Sequence, residues 1–262
     1  MTTPGSSAGT GAGWDLRICS WNICELRGDL PALIEGIRDL APDVLLVQEA
    51  PRLVLPQARL RWFADRIGHR ILVGGRGRRG LAVLGTPDVA ARIIRRGFEP
   101  VHQRLSDANS TYPRGIAAVR LSVPGGGDVV ISDIHLALQE DNRLAHASRV
   151  RDLVGGAGSP AIVGGDLNET ADAAARTLLS SVLSDPAASI GDADEDVGLR
   201  PPDRPSFPAA KPQRRIDAIL TTPRIHVRRA TTVTATATVP ADRFSGASDH
   251  LPVLLDVTIP RQ

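Results

Sequence analysis

Residues 128–135 read Asp-Val-Val-Ile-Ser-Asp-Ile-His, and residues 161–168 read Ala-Ile-Val-Gly-Gly-Asp-Leu-Asn. Each is an apolar run of strand length that ends in polar, titratable residues. The pattern recurs along the chain. Residues 16–22 (LRICSWN) end in Asn22, and residues 43–49 (DVLLVQE) end in Gln48 and Glu49. Asp217 lies at the start of a run at 216–220, and Ser248-Asp249-His250 immediately precede one at 251–258. Further strands are expected at 70–74, 80–84, 91–97, 115–122 and 225–237, and helices at about 29–39, 56–67, 140–154 and 171–183. In the first helix Leu30, Leu33, Ile34, Ile37 and Leu40 make one apolar stripe, with Asp29 placed to cap it and Pro31 in its first turn. So many strands with so few helices imply an α+β fold, with two sheets packed together and helices outside. If the strands at 216–220 and 251–258 run antiparallel to those at 16–22, 43–49, 128–135 and 161–165, all the polar ends meet at one edge. That edge would then carry carboxylates, amides and two histidines on a rigid scaffold.

The rest of the composition bounds the reading. The chain has 262 residues, 42% hydrophobic and 23% charged, which suits a folded protein with a sizeable core. No apolar run approaches the roughly 20 residues needed to span a bilayer. The opening MTTPGSSAGTGAG has neither a basic nor an apolar stretch, so it reads as a flexible tail rather than a secretory signal. The expected organisation is a tail at 1–14 and a single domain at 15–262, in a cytoplasmic protein. Cys19 and Cys24 are five apart. On one strand that spacing puts them on opposite faces, so no disulfide is expected. Of the 31 basic residues, 30 are arginine and only Lys211 is lysine. Guanidinium groups suit phosphate, and codon bias in a GC-rich genome is the alternative reading of the excess. A net charge of +2 and eight aromatic residues give little of the basic surplus and stacking surface that a dedicated nucleic-acid binder uses. The Asp-, Pro- and Gly-rich segment 184–213 reads as a long loop.

Ser20-Trp21-Asn22, Gln48-Glu49, Ile134-His135-Leu136, Gly165-Asp166-Leu167-Asn168, Arg215-Ile216-Asp217 and Ser248-Asp249-His250 resemble, in this order, the motifs of the endonuclease/exonuclease/phosphatase superfamily, the deoxyribonuclease-I-like fold. The resemblance covers about residues 15–258. It implies a four-layer α/β/β/α sandwich with two central, mostly antiparallel sheets, and hydrolysis of phosphoesters. Hard carboxylate and carboxamide oxygens suit Mg²⁺ or Mn²⁺. The resemblance makes Glu49 the first metal ligand, with Asn22 beside it and Asp249 arriving from the opposite strand. It places His250 against the reacting phosphate, with Asp217 holding its imidazole. Asp166 and Asn168 would position or activate water, and His135 would donate to a phosphate oxygen or assist the leaving group. Arg114, in an Arg-Gly pair often found in the family, would touch substrate phosphate.

Arg76, Arg78 and Arg79 lie in a Gly-rich loop that could reach a second phosphate or form a solvated turn. Arg215 is a further phosphate candidate. Ser206-Phe207-Pro208 resembles a substrate-side loop of bacterial members. Two departures matter. Cys24 stands where the exonuclease-III and abasic-site branch has an acid, and His135 where that branch uses tyrosine. Both favour the deoxyribonuclease-I-like or phosphatase/phosphodiesterase side. The expected substrate is a DNA or RNA phosphodiester, with a small phosphorylated metabolite or lipid headgroup as the alternative. A catalytically silent binding module is the rival from another class, and the intact acid, amide and histidine set argues against it.

Overall fold

A computed structural model describes residues 13–101, 114–188 and 204–261. Its strands are β1 (Gly13–Asn22), β2 (Val44–Gln48), β3 (Arg70–Val73), β4 (Ala82–Gly85), β5 (Ile93–Pro100), β6 (Gly115–Ser122), β7 (Asp128–His135), β8 (Ala161–Asp166), β9 (Asp217–Thr221), β10 (His226–Thr232) and β11 (Val253–Pro260). The helices are α1 (Leu30–Leu40), α2 (Pro56–Arg66), α3 (Pro87–Ala90), α4 (Glu140–Ala157), α5 (Ala174–Leu179) and α6 (Ala241–Phe244). One sheet has the order β10-β11-β1-β2-β4-β3, the other β5-β6-β7-β8-β9. Only β1–β2 and β7–β8 pair in parallel, so both sheets are mostly antiparallel, as the resemblance implied.

The layers follow from alternation. Along β2, Val44 and Leu46 point into the apolar core between the sheets, while Leu45 and Val47 point outward beneath helices. A strand covered on both faces must be apolar throughout, which is why Val-Leu-Leu-Val reads as an unbroken run. The outer face of the first sheet packs on α1, α2 and α6 through Trp21, Leu33, Phe63 and Phe244. The second sheet packs on α4 and α5 through Ala147, Val150, Val163 and Leu179. Fully burying one such large side chain contributes about 2–3 kcal/mol. Asp29 caps α1 by accepting from the Ala32 amide at 2.9 Å, as its sequence position suggested. Gly36 lets α1 meet α6 closely, because a Cβ there would sit 2.6 Å from the Phe244 ring.

The antiparallel condition holds: β9 runs against β8, and β11 against β1. The expected polar strand ends therefore share one edge. Other expectations need correction. Gly13 and Trp14 are paired with Pro260 and Ile259, so the fold starts before residue 15, while residues 1–12 lie outside the described residues. Cys24 sits in a left-handed turn beyond β1 rather than on it, and both cysteines are free thiols. The helix expected at 171–183 is confined to α5. The segment 184–213 is not all irregular, since Ser184 bridges Thr221 and Phe207 bridges Arg214. Its residues 189–203 lie outside the described residues, as does Tyr112-Pro113 ahead of Arg114. Among the described residues no helix is long and apolar enough to cross a membrane.

Candidate active site

The shared edge brings six of the expected residues into one hydrogen-bonded cluster. Asn22 ends β1 and donates from Nδ2 to Asp166 Oδ2 at 3.1 Å, across the gap between the sheets. Asp166 ends β8 and lies opposite Asp217, the first residue of β9. His135 ends β7, with Nε2 at 3.2 Å from Asp166 Oδ2. His250 presents Nδ1 to Asp217 Oδ2 at 2.9 Å and holds Nε2 3.7 Å from Asp166 Oδ2. Asn168 takes a left-handed backbone, φ 54. Its amide donates to Asp166 Oδ1 at 3.0 Å and its Nδ2 to the Leu136 carbonyl at 2.8 Å.

Burial and charge set the protonation of this cluster. Burial pulls the His250 imidazole down, but the Asp217, Asp166 and Asp249 carboxylates outweigh it and hold the ring up at about 10. His250 is therefore an imidazolium at neutral pH. Burial pushes Asp217 up from the usual carboxylate range, against the pull of His250 and the Ser206 hydroxyl. Asp166 behaves oppositely. Burial pushes it up, yet His135, His250 and the Asn168 amide together hold it well below the usual range. His135 is pulled down by burial and then by the charge of Arg114, so it is neutral. A neutral histidine, an imidazolium and a firmly ionised carboxylate thus converge, a combination suited to proton handling and to stabilising phosphate charge.

Glu49 and Asp249 lie to one side of this cluster. Glu49 follows β2 with φ 51, and its carbonyl accepts from the Glu25 amide at 2.8 Å. Ser248 Oγ donates to the Asn22 carbonyl at 2.6 Å and also lies 3.3 Å from Asp249 Oδ1. The Cys24 thiol is pushed up to about 11, first by burial and then by Asp249 and Glu49, which places both carboxylates around it. Ligand atoms of Asp166, Asp217 and His250 also fall within 4.8 Å of one another. Asp217 and His250 are hydrogen-bonded to each other there.

The arginines are sorted by the structure. Arg114 is buried, near His135. Arg76 and Arg78 are exposed, and Arg78 stacks over Phe98 with 5.3 Å to the ring centroid. Arg79 is a correction: its Nη1 donates to the Val101 carbonyl at 3.1 Å and to the Arg114 carbonyl, so it braces the backbone. Arg215 is another, because it grips Asp185 at 2.7 Å beside Arg176. Ser206, in the segment read as a substrate-side loop, is buried, and its Oγ donates to Asp217 Oδ2 at 2.6 Å. The neighbouring Phe207 ring packs on His250 at 4.7 Å. Trp21 completes the support, with Nε1 donating to the His250 carbonyl at 2.8 Å.

Comparison with known proteins shows the family. The Endonuclease/Exonuclease/phosphatase family profile matches residues 19–250. No curated protein sequence matches the chain. An endonuclease/exonuclease/phosphatase family protein from Bacteroides thetaiotaomicron is 19% identical, with a TM-score of 0.73 over 94% of this chain and 98% of that one. A mannosyl-6-phosphatase from the same organism is 20% identical, with a TM-score of 0.70 over 92% and 99%. Truncated TDP2 from Caenorhabditis elegans is 16% identical, with a TM-score of 0.65 over 94% and 98%. With the profile spanning both sheets and the whole polar edge, the chain belongs to the endonuclease/exonuclease/phosphatase family, whose members are phosphoester hydrolases.

Proposed function

We propose that the chain hydrolyses a phosphoester by attack of a water held at Asp166, with His250 and Asp217 countering the charge that grows on the phosphate. The Asp217–His250 contact of 2.9 Å carries this reading, because it fixes the ring and leaves Nε2 facing Asp166. The ionised Asp166 accepts a hydrogen bond from the water and orients it for attack, and the proton the water loses ends on the departing oxygen. The Nε2–H of imidazolium His250 meets a non-bridging phosphate oxygen, and Asp217 steadies the ring's positive charge. Neutral His135 keeps its Nε2–H on Asp166 and so fixes the carboxylate that orients the water. Asn168 holds Asp166 through its backbone amide.

Glu49, Asp249 and Asn22 offer two carboxylates and a carboxamide oxygen, a donor set that fits Mg²⁺ or Mn²⁺. A cation held by these residues would supply polarisation of the phosphoryl oxygen and screening of developing charge. On the substrate side, Arg79 and Arg215 are engaged within the protein. That removes two of five expected phosphate contacts and brings a small phosphorylated metabolite or lipid headgroup ahead of a polynucleotide. The similar mannosyl-6-phosphatase supports the same choice. A DNA or RNA diester is the second reading, favoured by Arg76 and Arg78 exposed in the loop that follows β3.

Turnover of an aryl phosphomonoester and an aryl phosphodiester with Mg²⁺, with and without chelator, tests the reading. Chelator-sensitive turnover is expected, with His250→Ala slower by at least about 10²–10³-fold. A folded protein that turns over neither ester, or a His250→Ala variant of normal rate, refutes it.

A further inference from the structure

The loop leaving β2 carries three consecutive large aliphatic residues into solvent. Leu53, Val54 and Leu55 are 69%, 74% and 71% exposed, and Trp62 on α2 is 42% exposed. Leu55, Ala58 and Trp62 fall on one helical face, and with Leu26, Leu30 and Arg59 they line a shallow hollow of about 290 Å³. A single exposed leucine needs no explanation, but a contiguous apolar tip marks a contact surface. Leu55 holds this position with a left-handed φ of 48, and its carbonyl accepts from the Arg59 amide at 3.0 Å.

The flank of the tip is cationic. The Gly74–Gly80 loop packs on the start of α2, where the Arg76 amide donates to Gln57 Oε1 at 3.4 Å. It is also tied to the loop after Glu49, since the Ala50 amide donates to the Gly80 carbonyl at 2.8 Å. Both Arg76 and Arg78 are exposed on it, Arg78 with its guanidinium over the Phe98 ring. Next to them runs a groove of about 600 Å³ lined by Arg61, Arg70, Arg78 and Arg96, with Asp65 its single acid among the described residues. Through these contacts the start of α2 below the tip, the arginine loop and the turn that carries the expected cation ligand Glu49 are neighbours.

A polynucleotide would use the arginines and leave four large apolar side chains in water. An anionic lipid surface uses both features. Aliphatic and Trp side chains enter the boundary between headgroups and acyl chains, and guanidinium groups meet lipid phosphates. We infer that the 53–55 tip and Trp62 dock this chain on an anionic lipid surface, with Arg76 and Arg78 on headgroup phosphates, so that the Glu49 edge faces the bilayer. The last clause rests on that edge being the active site; the docking itself does not.

Co-sedimentation of the full chain, in chelator, with vesicles of phosphatidylcholine alone or mixed equally with phosphatidylglycerol tests the inference. Binding to the mixed vesicles is expected, with a blue shift of Trp emission that Trp62→Phe removes. A Leu53→Asp/Leu55→Asp variant should bind at least about tenfold more weakly, while keeping its melting temperature and its rate on a soluble aryl phosphodiester. Arg76→Ser/Arg78→Ser should bind more weakly and with a shallower salt dependence. Absence of binding to mixed vesicles, equal binding to neutral ones, or an unaffected leucine variant overturns the inference. So does arginine-dependent binding of single-stranded DNA without vesicle binding, or a concentration-dependent dimer lost in the leucine variant in its place. Because turnover of the soluble ester is read separately, failure of docking leaves the catalytic reading standing.

Discussion

Replacing Ser206 by Ala separates support of the His250–Asp217 pair from the pair itself. Ser206 is fully buried, and its Oγ donates to Asp217 Oδ2 at 2.6 Å. The same oxygen accepts from the backbone amides of Ile216 and Asp217 at 3.3 and 3.2 Å. A hydrogen bond to a charged group contributes about 1.5–3 kcal/mol, and a buried donor left without a partner costs about 1–3 kcal/mol. Strain in the long amide contacts and partial relaxation reduce the sum, so Ser206→Ala should destabilise the fold by about 2–4 kcal/mol. The catalytic cost should be smaller than for removing His250. Asp217 keeps its 2.9 Å contact with His250 but loses the donor that fixes its own orientation. A drop in kcat of about tenfold, or 1.4 kcal/mol, with KM little changed is expected. Urea unfolding and turnover of an aryl phosphodiester measure the two effects. An unchanged urea midpoint together with an unchanged kcat would refute the assignment of Ser206 as a support for Asp217.

Three further outcomes follow from the same structure. Asp185→Ala leaves the buried Arg176 and Arg215 without the carboxylate they share, which should cost about 3–5 kcal/mol in urea unfolding; no shift in midpoint would return Arg215 to the phosphate contacts. His250 is held up at about 10 in the fold against 6.5 when free, so its contribution to stability is complete below about 6.5 and is lost as pH rises toward 10. In chelator, stability should therefore fall with pH across that window by up to about 1.4 kcal/mol per pH unit, and Asp217→Asn should flatten the slope. Glu49→Gln should raise the Mg²⁺ needed for half-maximal turnover by at least about tenfold, and an unchanged Mg²⁺ titration would remove Glu49 from the cation cradle.

The sheets were legible because strands buried on both faces cannot hide their composition. Val44–Val47 and Ala161–Val163 are apolar at every position, and the first polar residue after each marks the edge of the fold. The helices α3 and α6 were not legible, because four residues are too few to display a helical period. Arginine roles were harder still. A guanidinium that grips phosphate also grips a carbonyl or a carboxylate. Whether Arg79 meets Val101 and Arg114, or Arg215 meets Asp185, is decided by tertiary neighbours 22 to 35 residues away. Ser206 lay in an aperiodic segment, so nothing local distinguished a hydroxyl facing substrate from one facing Asp217.

The loops after β1 and β2 break local rules in the same place. Cys24, Glu25, Leu26 and Glu49 all have positive φ, and none is glycine. A left-handed residue bearing a Cβ costs roughly 1–2 kcal/mol, so these turns persist only if surrounding contacts impose them. The contacts are specific. The Ile23 amide donates to the Gln48 carbonyl at 3.0 Å, and the Glu25 amide to the Glu49 carbonyl at 2.8 Å. The buried Glu25 carboxylate then receives Arg52 Nε at 3.0 Å and Arg27 Nη2 at 2.9 Å, while Arg59 donates to the Glu25 carbonyl at 3.2 Å. Glu25 therefore acts as a clasp between the turn that aims Glu49 and the segment that presents Leu53, Val54 and Leu55. Arg52 directly precedes the exposed tip and Arg59 lies on α2, so both flanks of the tip are tied to the Glu25 turn. The positive φ at Glu49 and the placement of the tip are thus both held by contacts from outside their own loops, which is why neither could be read from its own residues alone.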